Sequence, residues 1–538
     1  MVRDQPLPLT PTQKMIVVAL LVFFVVFCIV GNLGQTITTD EPWHLRYGIN
    51  ILNGNSNRFD DSKMPSSALN AIPQKIASYL PESSIKDLLK DFHTARLATI
   101  FFSALVGLLI FHWARSLYGF IPALLSLFVY ILDPNIISNS QLITTDIYAV
   151  GTIAFACYCL WRFARQRNWK NGLLCAFALG LSQIAKYTGV ALLPLFAIML
   201  FIHDLPEMLQ AYQLNKATTI KTYLAKFSGY ILVSLIVSIL MINVAFLFNR
   251  PFTRFGGYKL RSELFKSLQT DVPLLRKLPV PVPYPYLQGF DWITQRSKGL
   301  FDVYLLGNIR HGEGFPGYYI VSSLLKEPIA TQIFFIAALL VYFLKKPGLQ
   351  RFLSNEMFLL VPVLFFAIYF NFFYNVQLGI RFYLVIFPLA YIFLGSLLTN
   401  WPSFSTVKKG TVLALCTYLA ISVFSYYPYY ASYFNELIWD KTQTYKYLAI
   451  SDIDLGQSKN ELQHYLDTHP DTVPAPDKIQ AGKFIVSVNN LVGTIAPPET
   501  YAWLRNNFEP VGTVAYCYLL YDISVDDVAS VCSKVKCY

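Results

Sequence analysis

Residues 35–52 read QTITTDEPWHLRYGINIL. An apolar run, 15–32, ends just before them, and Asp40 and Glu41 then stand side by side where that run leaves its apolar surroundings. Two carboxylates at such a border are costly unless they are paired or used. The rest of the chain makes the border a membrane surface. Its 538 residues are 54% apolar and only 14% charged, with a positive mean hydropathy, which is too little charge for a soluble protein of this length.

A helix needs about 20 mostly apolar residues to cross hydrocarbon roughly 30 Å thick. Eleven runs qualify as spans, near 15–32, 96–113, 119–133, 144–161, 171–185, 188–203, 227–248, 328–344, 356–374, 381–399 and 410–427. The first has no small-residue cleavage pattern after it and reads as a retained anchor. With the N-terminus inside, the short inner loops hold Arg115, then Arg162, Arg165, Arg167 and Lys170, then Lys216, Lys221 and Lys226, then Lys345, Lys346 and Arg351, then Lys408 and Lys409. That bias sets the orientation and puts the tail outside. The tail from Pro428 has thirteen acids against eight bases, so the membrane part carries a net +16 of a chain whose total is +11. It is a topology signal, and no nucleic-acid partner is read from it.

The expected organisation is a membrane module, 1–427, with outer loops 33–95 and 249–327, followed by an extracytoplasmic tail, 428–538. In the first loop, helices are expected after DEPWH and over SSALNAIPQKIASYL. The second is rich in Pro, Gly and aromatics (LPVPVPYPYLQGF, HGEGFPGYY) and reads as a loop domain lying on the membrane. In the tail, KFIVSVNNLVG and VAYCYLLYDIS read as strands, and SKNELQHYLDTH and PETYAWLRNN as helices, giving a small α/β cap. Cys28, Cys157, Cys159, Cys175 and Cys416 lie in apolar spans. Cys517, Cys532 and Cys537 lie outside and leave the pairing of one disulfide open.

Ionisable residues at membrane depth carry the functional signal. Asp40 with Glu41, Lys63, Asp146 (QLITTDIYAV), Lys186 (QIAKYTGV) and Arg381 (NVQLGIRFYL) all map to the outer face. Acids and bases converging on one face point to an anionic substrate presented from the lipid. Each has a plainer reading as well. Lys186 or Arg381 alone reads equally as a snorkelling anchor, and Asp146 as a carboxylate favoured at a helix start. EPWH and ELQH share Glu-x-x-His spacing, but one lies at a membrane loop and the other in the tail, unlike a di-metal bundle. A helix starting here puts Asp40 and His44 on one face. Asp40, Glu41 and His44 therefore leave a divalent metal open, with no further ligand in view.

The order of these motifs resembles the GT-C membrane glycosyltransferases over roughly residues 15–430. It runs from the acid pair after span one, through the lysine–proline loop (SKMPSSAL), ITTD and KYTG, to the aromatic–glycine loop and GIRF. Within them it looks most like the group of protein O-mannosyltransferases and the lipid A aminoarabinose transferase, bacterial type. The tail stretch SDIDLGQSKNELQHYL is also similar to one in bacterial members, with Leu455 where a Trp often stands. The resemblance implies a polytopic α-helical GT-C fold of about eleven transmembrane helices, in the bacterial inner membrane, with the site facing the periplasm or exterior. It implies a polyprenyl-phosphate sugar donor and a protein, lipid A or glycan acceptor. Asp40 is then the acid beside the acceptor, with Glu41 and Asp146 as further catalytic candidates. Lys63, Lys186 and Arg381 surround the donor phosphate, and His44 and Tyr187 touch substrate.

The chemistry agrees. A phosphate monoester is a good leaving group, so its transfer needs cations on the phosphate and one base for the nucleophile. A glycosidase needs two carboxylates flanking the bond. Aromatics such as Tyr383, Tyr284, Tyr286, Phe290 and Trp292 are expected to stack on sugar or prenyl chain, or to pack at the interface. Two rival classes are a transporter of a lipid-linked or small anionic substrate, whose charges belong near the midplane with repeat symmetry, and an envelope scaffold protein, which would not need Asp40 and Arg381 at such cost.

Overall fold

The computed structural model describes residues 8–57, 63–214, 217–296 and 301–533. The chain is a bundle of apolar helices carrying a small mixed sheet near its C-terminus. Helix Pro11–Leu33 starts on a capping box, in which Thr10 accepts from the Gln13 amide and Gln13 reaches back to the Thr10 amide. Such reciprocal caps satisfy amides that a helix start leaves bare. Asp91 likewise caps Phe92–Tyr118 by accepting from the His93 amide.

Every one of the eleven apolar runs falls on helix. Among the described residues, seven helices are long and apolar enough to span a membrane, and nine spans result when two bent pairs each count once. Those pairs are Phe120–Ile131 with Pro134–Ser140, bent by 61°, and Tyr318–Lys326 with Ile329–Leu344, bent by 117°. The other two runs form Trp169–Ala185 and Met357–Phe372, of 17 and 16 residues, and are too short to count.

The first outer loop forms Glu41–Leu52 and Ala68–Ala77. The second forms Tyr284–Arg296 and a hairpin of β1 (Asp302–Leu305) and β2 (Asn308–His311). The tail sheet has β3 (Thr472–Pro474), β4 (Gly482–Ser487), β5 (Gly512–Val514) and β6 (Tyr518–Ile523) in the order β3-β4-β6-β5. β3 and β4 run parallel and the other pairs antiparallel. The run KFIVSVNNLVG is strand only as far as Ser487, whose hydroxyl accepts from the Asn490 amide and starts the helix Val488–Val492. An N-cap serine therefore overrides the β-branched run. Lys459–Thr468 and Ala502–Asn507 are helices, as their patterns predict. Cys517 is buried and free, Cys532 is disulfide-bonded, and Cys537 lies outside the described residues.

Candidate active site

The loop 34–40 turns the chain from the first span into the helix Glu41–Leu52, with Pro42 in its first turn. A proline there costs nothing, because the amide it lacks would have no helical partner. Asp40 stands at the N-cap, yet its side chain caps no amide. Its Oδ2 instead accepts from Nη1 of Arg381 at 2.7 Å, across 341 positions of sequence. Asp40 keeps 34% of its side chain exposed and Arg381 only 13%. The guanidinium, aided by Lys63 and His44, holds the Asp40 carboxyl well below the usual carboxylate range against the opposing effect of burial.

A second pair stands beside the first. Lys186 donates to Asp146 and lies 4.2 Å over the ring of Phe382, the neighbour of Arg381. Lys186 ends the helix Trp169–Ala185 in extended backbone, and Gly189 closes the turn that follows. A Cβ at Gly189 would sit 2.4 Å from the backbone of Ser182, so only glycine lets this turn fold under the helix end. Asp146 opens the helix Asp146–Arg165 and also acts electrostatically on Arg381 and His44. Buried Lys63 acts on both Asp40 and His44. Asp40, Lys63, Asp146, Lys186 and Arg381 thus meet in one cluster.

His44 lies one turn after Asp40, with its amide donating to the Asp40 carbonyl and its Nδ1 2.9 Å from the Ser67 hydroxyl. Burial, with Lys63 adding to it, pushes its pKa down to about 3. The imidazole is therefore neutral in the fold and protonated below about pH 6.5 when unfolded. The unfolded chain binds the extra proton between these values, so stability is full above about pH 6.5 and falls by about 1.4 kcal/mol per unit as the pH drops towards 3. Thermal melts of wild type and His44→Gln over pH 4–8 should differ by this slope on the acid side and run parallel above pH 7.

Two expectations are corrected by the geometry. Glu41 faces away from the cluster and is 0% exposed. Its Oε1 accepts from Arg96 Nε at 2.7 Å and the Ile143 amide at 2.9 Å, and its Oε2 from Arg96 Nη2 at 2.6 Å and the Thr38 amide at 2.7 Å. With both oxygens so engaged, Glu41 ties three segments together and has no lone pair turned to a substrate. The set of Asp40, Glu41 and His44 is therefore not assembled around one point. Among the described residues no three His, Cys, Asp or Glu side chains are placed to share a metal.

Tyr187 is the second correction. Its hydroxyl donates to the Tyr286 carbonyl at 2.9 Å, and its ring packs on Tyr286 and Phe290 in a small core with Met64 and Phe246. It pins the second outer loop to the 186–191 turn. The other aromatics also pack on one another, Tyr284 stacking on Tyr258 and Tyr383 on Tyr319, while Trp292 carries Arg261 and Arg296 on its face.

Asp40 and Arg381 form the floor of a cleft of about 760 Å³. Its roof comes from the tail, with Ser451, Asp454, Lys459 and Asn490 among its lining. A cleft of this size accommodates a small ligand or part of a larger one. Ser451, Asp454 and Lys459 belong to the stretch SDIDLGQSKNELQHYL that resembles bacterial members, but no place at the site is expected of them from the sequence.

Residues 88–231 match the family of dolichyl-phosphate-mannose-protein mannosyltransferases. No curated protein sequence matches the chain. Among solved structures, it is similar to the apo oligosaccharyltransferase of Archaeoglobus fulgidus (TM-score 0.50, 14% identity), covering 84% of this chain and 59% of that one. It is also similar to ArnT from Cupriavidus metallidurans bound to undecaprenyl phosphate (TM-score 0.49, 12% identity), covering 95% and 98%. A third is AglB from Archaeoglobus fulgidus, in complex with an inhibitory peptide and a dolichol-phosphate (TM-score 0.46, 14% identity), covering 85% and 60%. The chain spans less than two thirds of the length of the archaeal proteins. Over residues 88–231 the chain is thus similar to the protein mannosyltransferase family, and its helical, membrane-spanning fold is similar to that of the archaeal oligosaccharyltransferase.

Proposed function

We propose that the protein moves a sugar from a polyprenyl-phosphate donor to an acceptor hydroxyl, or to a phosphate oxygen, on the outer face of a bacterial inner membrane. The observation that carries this reading is the cluster at the cleft floor, where the acid Asp40 is paired with Arg381 and flanked by Lys63 and by Lys186 on Asp146. The membrane module supplies these charges, and the tail roofs the cleft by which the acceptor arrives.

In the reaction the acceptor oxygen attacks the anomeric carbon, the bond from that carbon to the phosphate oxygen breaks, and polyprenyl phosphate leaves with the electron pair. Arg381, Lys186 and Lys63 neutralise the charge that gathers on the leaving phosphate. The acceptor proton passes to Asp40. While bound to Arg381, Asp40 is a poor base. A donor phosphate competes for the same guanidinium, which loosens the pair and raises the basicity of Asp40 as the acceptor must lose its proton. One in-line displacement inverts the anomeric centre. Asp146 holds Lys186 in place and His44 contributes a neutral polar wall.

Mass spectrometry of envelope glycans, glycolipids and glycoproteins from cells with and without the protein tests the reading. A sugar missing from one acceptor class names donor and acceptor together. In membranes supplied with the native donor, Arg381→Ala is expected to lower transfer by about 10²–10³-fold, the range for losing one group that stabilises developing negative charge. An unchanged envelope together with solute uptake by proteoliposomes would replace this reading with transport.

A further inference from the structure

The two halves of the Asp40–Arg381 pair are carried by loops far apart in sequence, and both loops are gripped by one stretch of the tail, Ser451–Gln457. At one end, Asp452 is fully buried and its Oδ1 accepts from the Ile380 amide at 2.8 Å, one residue before Arg381. Its Oδ2 accepts from the Tyr318 hydroxyl at 2.9 Å, and its carbonyl accepts from the buried Lys326 ammonium. The Ser451 hydroxyl donates to the Leu378 carbonyl. Between these contacts sits Gly379, at φ +88°, where a Cβ would lie 2.5 Å from Ser451 Oγ. Positive φ and this close approach both require glycine.

At the other end the strap grips the Asp40 loop. The Thr39 amide donates to the Leu455 carbonyl at 3.2 Å, the Thr36 amide to the Gln457 carbonyl at 2.9 Å, and the Thr36 hydroxyl to the Gly456 carbonyl at 2.6 Å. The same strap lines the cleft through Ser451, Asp454, Leu455 and Gly456.

We infer that Asp452 is a positioning residue that, through the strap 451–457, sets the place of the Arg381 guanidinium relative to Asp40 and so its grip on a lipid-borne phosphate. The inference rests on the proposed role of Arg381. Its physical basis is the backbone bond at Ile380. Arg381 lies on a 3₁₀ segment, Ile380–Ile386, whose first residue, Ile380, donates its amide to the tail. Without that bond the guanidinium shifts, and a displacement of about 1 Å is enough to cost about 10²-fold in rate.

The test compares full-length wild type, Asp452→Ala, Asp452→Asn, Thr36→Val and Arg381→Ala. Undecaprenyl phosphate is the binding probe, transfer from the native donor is the rate, and thermal melts check folding. Asp452→Asn retains an oxygen for the Ile380 amide and a polar partner for Tyr318, so it should stay within about threefold of wild type. Asp452→Ala should lower transfer by about 10–10²-fold and weaken probe binding in the direction of Arg381→Ala. Thr36→Val loosens the strap at its far end without touching Asp452 or the ion pair, so it should slow transfer several-fold, and it carries the test if both Asp452 variants fail to fold. Folded Asp452→Ala behaving as wild type while Arg381→Ala is impaired would overturn the strap alone, as would Asp452→Asn falling as far as Asp452→Ala. If the Asp452 variants do not fold, Thr36→Val matching wild type overturns it. Arg381→Ala binding the probe and transferring sugar as wild type does would instead overturn the proposed function, and the strap with it.

Discussion

Asp40→Asn is expected to reduce kcat for sugar transfer by about 10²–10⁴-fold, the contribution of a positioned general base, while its melting temperature stays near that of wild type. The side chain is a third exposed and its Oδ2 accepts from Arg381, so the amide fits the same space and keeps an oxygen for the guanidinium. What is lost is the capacity to take a proton. A second signature follows from the ion pair. In the free enzyme Arg381 holds the Asp40 carboxyl low, so the acid limb of kcat/KM should lie well below the usual carboxylate range. With donor bound, its phosphate shares the guanidinium and the acid limb of kcat should move up, because kcat reports the bound complex. Steady-state rates over pH 3–8 at saturating and limiting donor check both: kcat/KM should stay level down to pH 3, while kcat should fall on the acid side. Coincident limbs would separate Asp40 from the donor phosphate, and a loss below tenfold in Asp40→Asn would remove it as the base.

How far the sequence carries depends on which physical signal each residue leaves in it. Span-length apolar runs are strong local signals, so the helices and their order are legible in the sequence. Asp40, Lys63, Asp146, Lys186 and Arg381 were legible for a related reason, since each interrupts or borders hydrocarbon where a charge is expensive. The same rule applies to Arg96, Asp133, Lys326 and Glu327, which also stand inside or beside apolar runs. All four are buried in polar networks, with Asp133 and Glu327 both accepting from the Tyr391 hydroxyl. Charge at membrane depth therefore marks both a cleft-facing cluster and buried architecture, and only partners in space separate the two. Glu41 shows the point, because its neighbour in sequence faces the cleft while its own oxygens are taken by Arg96. The strap lies in the stretch SDIDLGQ that the resemblance singles out, but its work is legible only in space, since its partners are backbone groups of Thr36, Thr39 and Ile380 more than seventy positions away.

Glu41→Ala should therefore act on folding and not on chemistry. It removes both carboxylate acceptors of a fully buried guanidinium, which keeps the Asn32 side chain, the carbonyls of Gln35 and Thr36 and the face of Phe92. Breaking a buried pair from one side costs about 3–5 kcal/mol, because the remaining charge stays desolvated. The amides of Thr38 and Ile143 lose their acceptor in the same change. Removing both charges, in Glu41→Gln with Arg96→Met, should recover part of that loss, since the glutamine oxygen still serves one of the amides and no charge is left buried. The measurement is detergent-solubilised melting together with transfer per folded molecule. Glu41→Ala should melt far earlier yet retain transfer in the fraction that remains folded, whereas Asp40→Asn should melt normally and transfer almost nothing. If Glu41→Ala melts as wild type does and still loses transfer, the second acid is catalytic after all. The opposite pattern assigns the two adjacent carboxylates to different tasks, one to the reaction and the other to holding the loop that presents it.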